Sequence, residues 1–354
     1  MGNAQRHSDG GATPAQASLP LKVKLGLVGF GVLFAVIVSA LVLQFVPLAP
    51  KGTEFASLAD LRKALTNGSE PAALENTGDA ARTSMRTIVQ AHPDDKLIYT
   101  LKPNMDLTFM RANVKTNSCG MRSPERPIEK PQNTYRIALL GDSFAFGWGV
   151  EQHESFAQVL EDTLNRAFPK GPKFEVLNFG VPGYSTFQEV ALFQERGLDF
   201  DPDAVLVYFV QNDFGMPFFV RDMEGSGGIL SSVKFVEIGK KLFNKEEMHH
   251  KIWQMDLDPN QSLKRLAEMS RERGIRTYIA INPSKTLRQD QERLHILKQG
   301  TIVNIPLQAP LQEYQTRNGI PNEELVLSFD PHPSPLRHKI LGSILAPYFL
   351  EIAR

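Results

Sequence analysis

The sequence predicts an α/β layered domain with a mainly parallel sheet, preceded by one N-terminal transmembrane helix. Three observations carry this expectation. After Pro131, short runs rich in β-branched and aromatic residues alternate with longer stretches of helical period, as parallel strands joined by crossover helices do. The segments richest in Gly, Ser, Asn, Asp and His fall at the ends of those runs, where open parallel sheets place their ligand sites. Near the start, Leu25 to Leu43 (LGLVGFGVLFAVIVSALVL) carries no charge, and the apolar run continues past Gln44 to Ala49. As a helix that run is long enough to cross a hydrocarbon core of roughly 30 Å.

Residues 1–20 are rich in Gly, Ala, Ser and Pro with few large apolar groups, a composition that predicts a disordered tail. The transmembrane anchor is expected over residues 21–49. A cleaved signal peptide is the competing reading, but its apolar region is usually about 7–15 residues long and is followed by a small-residue cleavage site. Lys22 and Lys24 precede the span, with Arg6 further upstream, whereas Lys51 and Arg62 follow it. This modest bias places the N-terminus in the cytoplasm and the bulk of the chain outside it, in the periplasm if the cell is Gram-negative. Residues 50–95 are mixed polar and small, with NGSEP and NTGD as turn signals, and predict a stalk or juxtamembrane segment.

In the alternating region the strands are expected at 135–140, 174–179, 204–210, 276–281 and 325–329. Helices are expected from Ser155 to Phe168, Ser185 to Arg196, Ser262 to Arg273 and Leu336 to Leu350. Residues 214–260 are too long for a simple connection. Their Phe218, Phe219, Phe235 and Phe243, with Lys234, Lys240 and Lys241, suit a lid, an acceptor-binding element, a membrane-surface element or an excursion packed inward.

Charge excludes one class of partner. Acidic and basic side chains balance at 39 each and the pI is near 7.1, so no overall field draws the protein onto nucleic acid. One cysteine, Cys119, excludes an internal disulfide and a thiolate zinc cage.

Three segments carry candidate chemistry. In TYRIALLGDSFAFGWGV, a strand runs into GDSF, so that Ser143 stands at or near a helix N-terminus, whose free N–H groups favour developing negative charge. Asp142 and Ser143 could equally be helix caps. A serine nucleophile needs a base, usually a His oriented by a carboxylate, and SFDPHPSPLRH offers Asp330 and His332. Pro331 and Pro333 push the residues before them toward extended angles, which puts the Asp330 and His332 side chains on one side of the chain. The competing reading is a polar, Pro-rich loop. NFGVPGYST and VQND offer oxyanion donors at Gly183 and Asn212, or an ordinary turn and an ordinary strand-end cap.

These segments, in this order and each at a strand end, resemble the SGNH superfamily of GDSL-type esterases, lipases and carbohydrate acyl-modifying enzymes over about residues 135–354. The resemblance implies a three-layer α/β/α sandwich and a serine-dependent ester hydrolase or O-acyltransferase working through an acyl-enzyme. It implies Ser143 as nucleophile and first oxyanion donor, Gly183 and Asn212 as further donors, His332 as base, Asp330 as its orienter, and no metal or organic cofactor. The implied substrate is an acyl ester or an acylated cell-envelope or exported glycan. Two positions depart from the family's pattern. Only Pro331 separates Asp330 from His332, where two residues are usual, and Val210 stands where the block before Asn212 usually has Gly. They keep open a catalytically silent module that binds glycan or scaffolds an envelope assembly. A cytoplasmic small-molecule hydrolase is a third reading, should the N-terminal run not be an anchor. Residues 96–134 resemble the segment ahead of the hydrolase core in membrane-anchored bacterial relatives, an extension packed on the catalytic domain, with Asn117, Gly120 and Arg122 either bordering the site or packing at the sheet edge.

Overall fold

The computed structural model describes residues 20–45, 85–215 and 257–350. The expected tail, most of the expected stalk and nearly all of the insertion at 214–260 lie outside the described residues. Helix α1 (Leu21–Phe45) has its side chains described as far as Ala35. Among the described residues, no helix is long and apolar enough to cross a membrane. This overturns the expected transmembrane anchor at 21–49. Membrane attachment through residues 25–49 falls with it, as do the single-pass topology, the cytoplasmic N-terminus and the extracytoplasmic catalytic domain.

Ahead of the main sheet, β1 (Val89–Ala91) pairs antiparallel with β2 (Tyr99–Leu101), and β3 (Asp106–Phe109) with β4 (Ala112–Lys115). The main sheet follows. Its strands are β5 (Thr134–Gly141), β6 (Lys173–Asn178), β7 (Ala204–Phe209), β8 (Arg276–Ile281) and β9 (Val303–Ile305), all parallel, in the order β6-β5-β7-β8-β9. Between and after them come α2 (Ser143–Phe146), α3 (Phe156–Ala167), α4 (Thr186–Glu195), α5 (Pro259–Glu272), α6 (Leu287–Arg293), α7 (Gln308–Asn318) and α8 (Pro335–Leu350).

Alternation along the strands builds two cores. Ile137 and Leu139 face one side of β5, where Leu160 and Leu164 of α3 and Leu341, Leu345 and Phe349 of α8 cover them. Ala138 and Leu140 face the other side, under Val190 and Phe193 of α4 and Leu263 and Leu266 of α5. Successive side chains point to opposite faces, so a strand covered on both sides reads as a nearly continuous apolar run. The result is the expected three-layer α/β/α sandwich with a parallel sheet. In β5 and β6 two charged residues interrupt the run, and they are neighbours in register: Arg136 lies opposite Glu175, with Nε 3.1 Å from Oε2.

The fifth strand is not the expected one. Val326–Leu327 (β10) pairs antiparallel with Asp330–Pro333 (β11) in a separate ribbon, and β9 closes the sheet instead. In β9, Val303 and Asn304 are exposed and only Ile305 is buried, so this edge carries no apolar run to read.

The chain passes from β5 outward to β6, then returns to the opposite side of β5 to form β7. Ligand sites of open parallel sheets lie at the carboxyl ends of the strands flanking such a reversal. Those ends are Gly141 and Phe209.

Candidate active site

At the end of β5 the chain turns at Gly141, where a Cβ would meet the Ala145 Cβ at 2.6 Å and the Tyr208 carbonyl oxygen at 3.2 Å. Only glycine allows so close an approach. Asp142 then caps the one-turn helix α2, its Oδ1 accepting the Phe144 N–H at 2.9 Å. Ser143 opens the helix, 8% exposed, and its Oγ lies 2.8 Å from His332 Nε2. With the serine hydroxyl donating to Nε2, His332 Nδ1 carries the hydrogen and donates to Asp330 Oδ1, which also accepts the His332 backbone N–H at 3.1 Å. The intervening Pro331 sits in β11, whose extended backbone puts Asp330 and His332 on the same side.

His332 is held between two aromatic rings. Trp148 stacks on it at 5.1 Å and 21°, and Phe144 lies tilted at 5.3 Å. Phe109 of β3 meets Trp148 edge-on at 4.9 Å. Neither ring was among the expected site residues. Their signal, aromatics one and five positions after Ser143, acquires meaning only once the β10–β11 ribbon is folded over α2.

Arg122 braces this turn from behind. It is 2% exposed, donates to the carbonyls of Phe146 (3.0 Å), Asn113 (3.1 Å), Val150 (2.6 Å) and Gly147, and lies 4.8 Å from the centre of the Phe146 ring. Burial lowers its guanidinium to about 10, opposed by Glu151 and Glu154, so it stays charged at neutral pH. Asn117 instead accepts the N–H groups of Cys119 and Met121 on its own Oδ1, and Gly120 has a φ of +76° within that loop. Both serve the extension's own turn.

The loop after β6 continues the ladder of β5, with the Phe179 N–H donating to Leu139 O at 2.9 Å and the Val181 N–H to Gly141 O at 3.1 Å. Val181 to Tyr184 then form a turn closed by a 3.1 Å bond, with Gly183 at φ +79° in the position that favours glycine. Tyr99 of β2 pins it by donating to the Pro182 carbonyl at 2.8 Å, and Tyr184 donates back to the Tyr99 carbonyl. The loop that carries Gly183 is thus tied to the end of β5 by the Val181–Gly141 backbone bond.

Beyond β7, Asn212 lies in the 3-10 turn Gln211–Phe214, and its Nδ2 donates to Asp142 Oδ2 at 2.9 Å. That amide has a second N–H to offer. Val210, at φ −126° and ψ 167°, is ordinary extended backbone, so the missing glycine costs no strain. Burial raises the Asp142 carboxyl, opposed by the Phe144 N–H, the Asn212 amide and His332. The second histidine of the segment, His338, is fully buried, accepts the Phe156 N–H at 3.1 Å, and is held by burial at about 3. It is therefore a neutral cap of α3. Among the described residues, no group of three or more His, Cys, Asp or Glu side chains is placed to hold a metal ion.

A family model described as GDSL-like Lipase/Acylhydrolase matches residues 139–318, just over half of the chain. The match starts inside β5 and stops short of Asp330 and His332. Among solved structures, a lipase/acylhydrolase from Enterococcus faecalis is similar at 14% identity and TM-score 0.40, over 62% of this chain and 98% of that one. A psychrotrophic esterase from a Pseudoalteromonas species is similar at 12% identity and TM-score 0.40, over 61% and 97%. A member of the lipolytic protein G-D-S-L family from Veillonella parvula is similar at 13% identity and TM-score 0.38, over 61% and 98%. No curated protein matches the sequence.

Proposed function

Because the chain belongs to the GDSL-like lipase/acylhydrolase family, hydrolases of the esterase type, we propose that it cleaves acyl esters through a covalent acyl-enzyme on Ser143. The observation that carries this reading is the direct 2.8 Å contact between Ser143 Oγ and His332 Nε2. A silent binding module has no need of a serine hydroxyl bonded to a base that is itself bonded to a carboxylate.

In the proposed reaction His332 Nε2 takes the Ser143 proton as Oγ attacks the ester carbonyl carbon. Asp330 holds the ring in the required tautomer and stabilises the imidazolium. The oxyanion is received by the Ser143 and Gly183 N–H groups and by the Asn212 amide hydrogen not engaged by Asp142. His332 then returns the proton to the departing alcohol, leaving the acyl group on Oγ. An acceptor hydroxyl, deprotonated by His332, attacks that acyl-enzyme and frees the serine. With water as acceptor the protein is an esterase, and with a sugar hydroxyl it is an O-acyltransferase. We favour water, the simpler acceptor. An envelope glycan as substrate drew its support from a site outside the cytoplasm, and that support went with the anchor.

The test uses the full-length protein with a fluorophosphonate probe, followed by peptide mapping, and a panel of acyl esters with and without oligosaccharide acceptors. A label on Ser143 and ester cleavage independent of acceptor are expected. No label, or a label elsewhere, overturns the serine reading, and activity only with an oligosaccharide replaces hydrolysis by transfer.

The Arg122 brace gives a second expectation. Arg122→Lys keeps the charge but loses the planar fork that reaches several carbonyls. Misplacement of a reacting group by ~1 Å costs about 100-fold, so a 10- to 100-fold lower kcat at nearly unchanged KM is expected in steady-state kinetics.

A further inference from the structure

Behind the Asn212 turn lie two carboxyls to which, among the described residues, no cation is bonded. Glu189 on α4 and Asp213 beside Asn212 are each 1% exposed. Their side chains face each other within hydrogen-bonding reach. Asp213 Oδ2 accepts the Val210 N–H at 2.6 Å and Asp213 also faces the Thr186 hydroxyl, whereas neither Glu189 oxygen has a donor among the described residues. Ionised carboxylates only accept, so two of them in contact bond only when one keeps a proton. The groups acting on the pair are a third buried carboxyl, Asp142, and the Thr186 hydroxyl. Burial pushes both Glu189 and Asp213 well above the usual carboxylate range; the charge of Asp213 and then that of Asp142 raise Glu189 further, and that of Asp142 raises Asp213.

We propose that Glu189 is a positioning residue, which keeps its proton, donates it to Asp213 and thereby holds the turn that presents Asn212. The links are continuous. Asp213 closes the turn on the Val210 N–H, Asn212 donates to Asp142 at 2.9 Å, and Asp142 caps the helix that Ser143 opens. The inference rests on the reading of Asn212 as an oxyanion donor. Once the pair loses its shared proton, two buried anions face each other and the turn loosens, so kcat falls at alkaline pH while KM holds. Folding stability follows the same sign. The native pair holds a proton that an unfolded carboxyl sheds above pH ~4, so stability declines as pH rises from there to the raised native value.

The experiment compares full-length wild type, Glu189→Gln and Glu189→Leu by kcat and KM against pH, by urea unfolding against pH, and by infrared spectroscopy of the protonated-carboxyl C=O stretch. At neutral pH the stretch should be present in wild type and in Ser143→Ala but lost in Glu189→Gln. The glutamine can still donate to Asp213, so its neutral-pH kcat should stay within about threefold of wild type, and both the alkaline decline and the stability slope should flatten. Leucine, which cannot donate, should lower kcat about tenfold or more at a KM within about twofold. An alkaline limb in Glu189→Gln equal to that of wild type, survival of the infrared band, or wild-type kcat in Glu189→Leu overturns the proposal. Were wild type inert toward every ester and the fluorophosphonate, the serine reading would fail, while the band and the stability slope would still decide whether Glu189 holds the proton.

Discussion

Ser143→Ala is expected to lower kcat for ester hydrolysis by roughly 10⁵- to 10⁶-fold, the scale seen when the nucleophile of a serine triad is removed. The Oγ is lost and with it the 2.8 Å bond to His332, whereas the Asp142 cap of α2 and the Asn212 bond to Asp142 are untouched. KM and melting temperature should therefore change little. His332→Ala should cost a similar factor, and the double variant should be no worse than either single one, because residues acting on one proton transfer fail as a unit. The measurement is steady-state hydrolysis of the best ester from the panel, with active-site titration to exclude contaminating wild type. Independent, multiplying losses in the double variant would separate the two side chains into different roles, and a Ser143→Ala enzyme within tenfold of wild type would remove the serine from the chemistry.

Glu175→Ala is expected to be the most damaging substitution for stability. Glu175, 1% exposed, sits between two arginines: Arg136 Nε lies 3.1 Å from its Oε2 and Arg126 Nη1 3.4 Å from its Oε1. Arg126 also bonds Glu161 at 2.6 Å, and the fully buried Arg136 donates to the carbonyls of Pro127, Ile128 and Phe200. Removing the shared carboxylate leaves uncompensated charge in the core, a loss of about 3–5 kcal/mol. For a domain of this size that corresponds to a fall of roughly 10 °C in melting temperature, to be read by thermal unfolding at neutral pH. Replacing Arg136 by Met and Glu175 by Leu together should recover most of the loss, because a packed apolar pair is often as stable as the ion pair it replaces. A double variant no better than Glu175→Ala would mean that the carbonyl partners of Arg136 dominate instead.

The parts of this molecule legible in its sequence are those set by local pattern. Strands β5 to β8 read clearly because helices cover both faces, and Pro331 between Asp330 and His332 forecast the extended, same-side geometry that the β11 ribbon adopts. What was not legible depends on distant contacts. The strand β9 buries one residue of three and so lacks the run that marked its neighbours. Val326 and Leu327 have that run but spend it on a ribbon over the site. Phe144 and Trp148 read as ordinary aromatics until His332 is brought between them from 189 residues beyond Ser143. The anchor failed for another reason: hydropathy along the sequence marked the run from Leu25, but among the described residues no helix is long and apolar enough to cross a membrane.

The clamp made by residues 96–134 bears on where this protein can be cut. Tyr99 grips the turn of Gly183, and Arg122 takes up three main-chain oxygens in the segment after Ser143. The module that the family match outlines, opening at residue 139, is thus not a separable part. Swapped onto another protein or expressed from Thr134 onward, it would carry open carbonyls and an unpinned loop at the very place where rigidity is needed. Any transplant or truncation should keep everything from Met85, and evolution faces the same constraint: the extension and the nucleophile turn have to vary together.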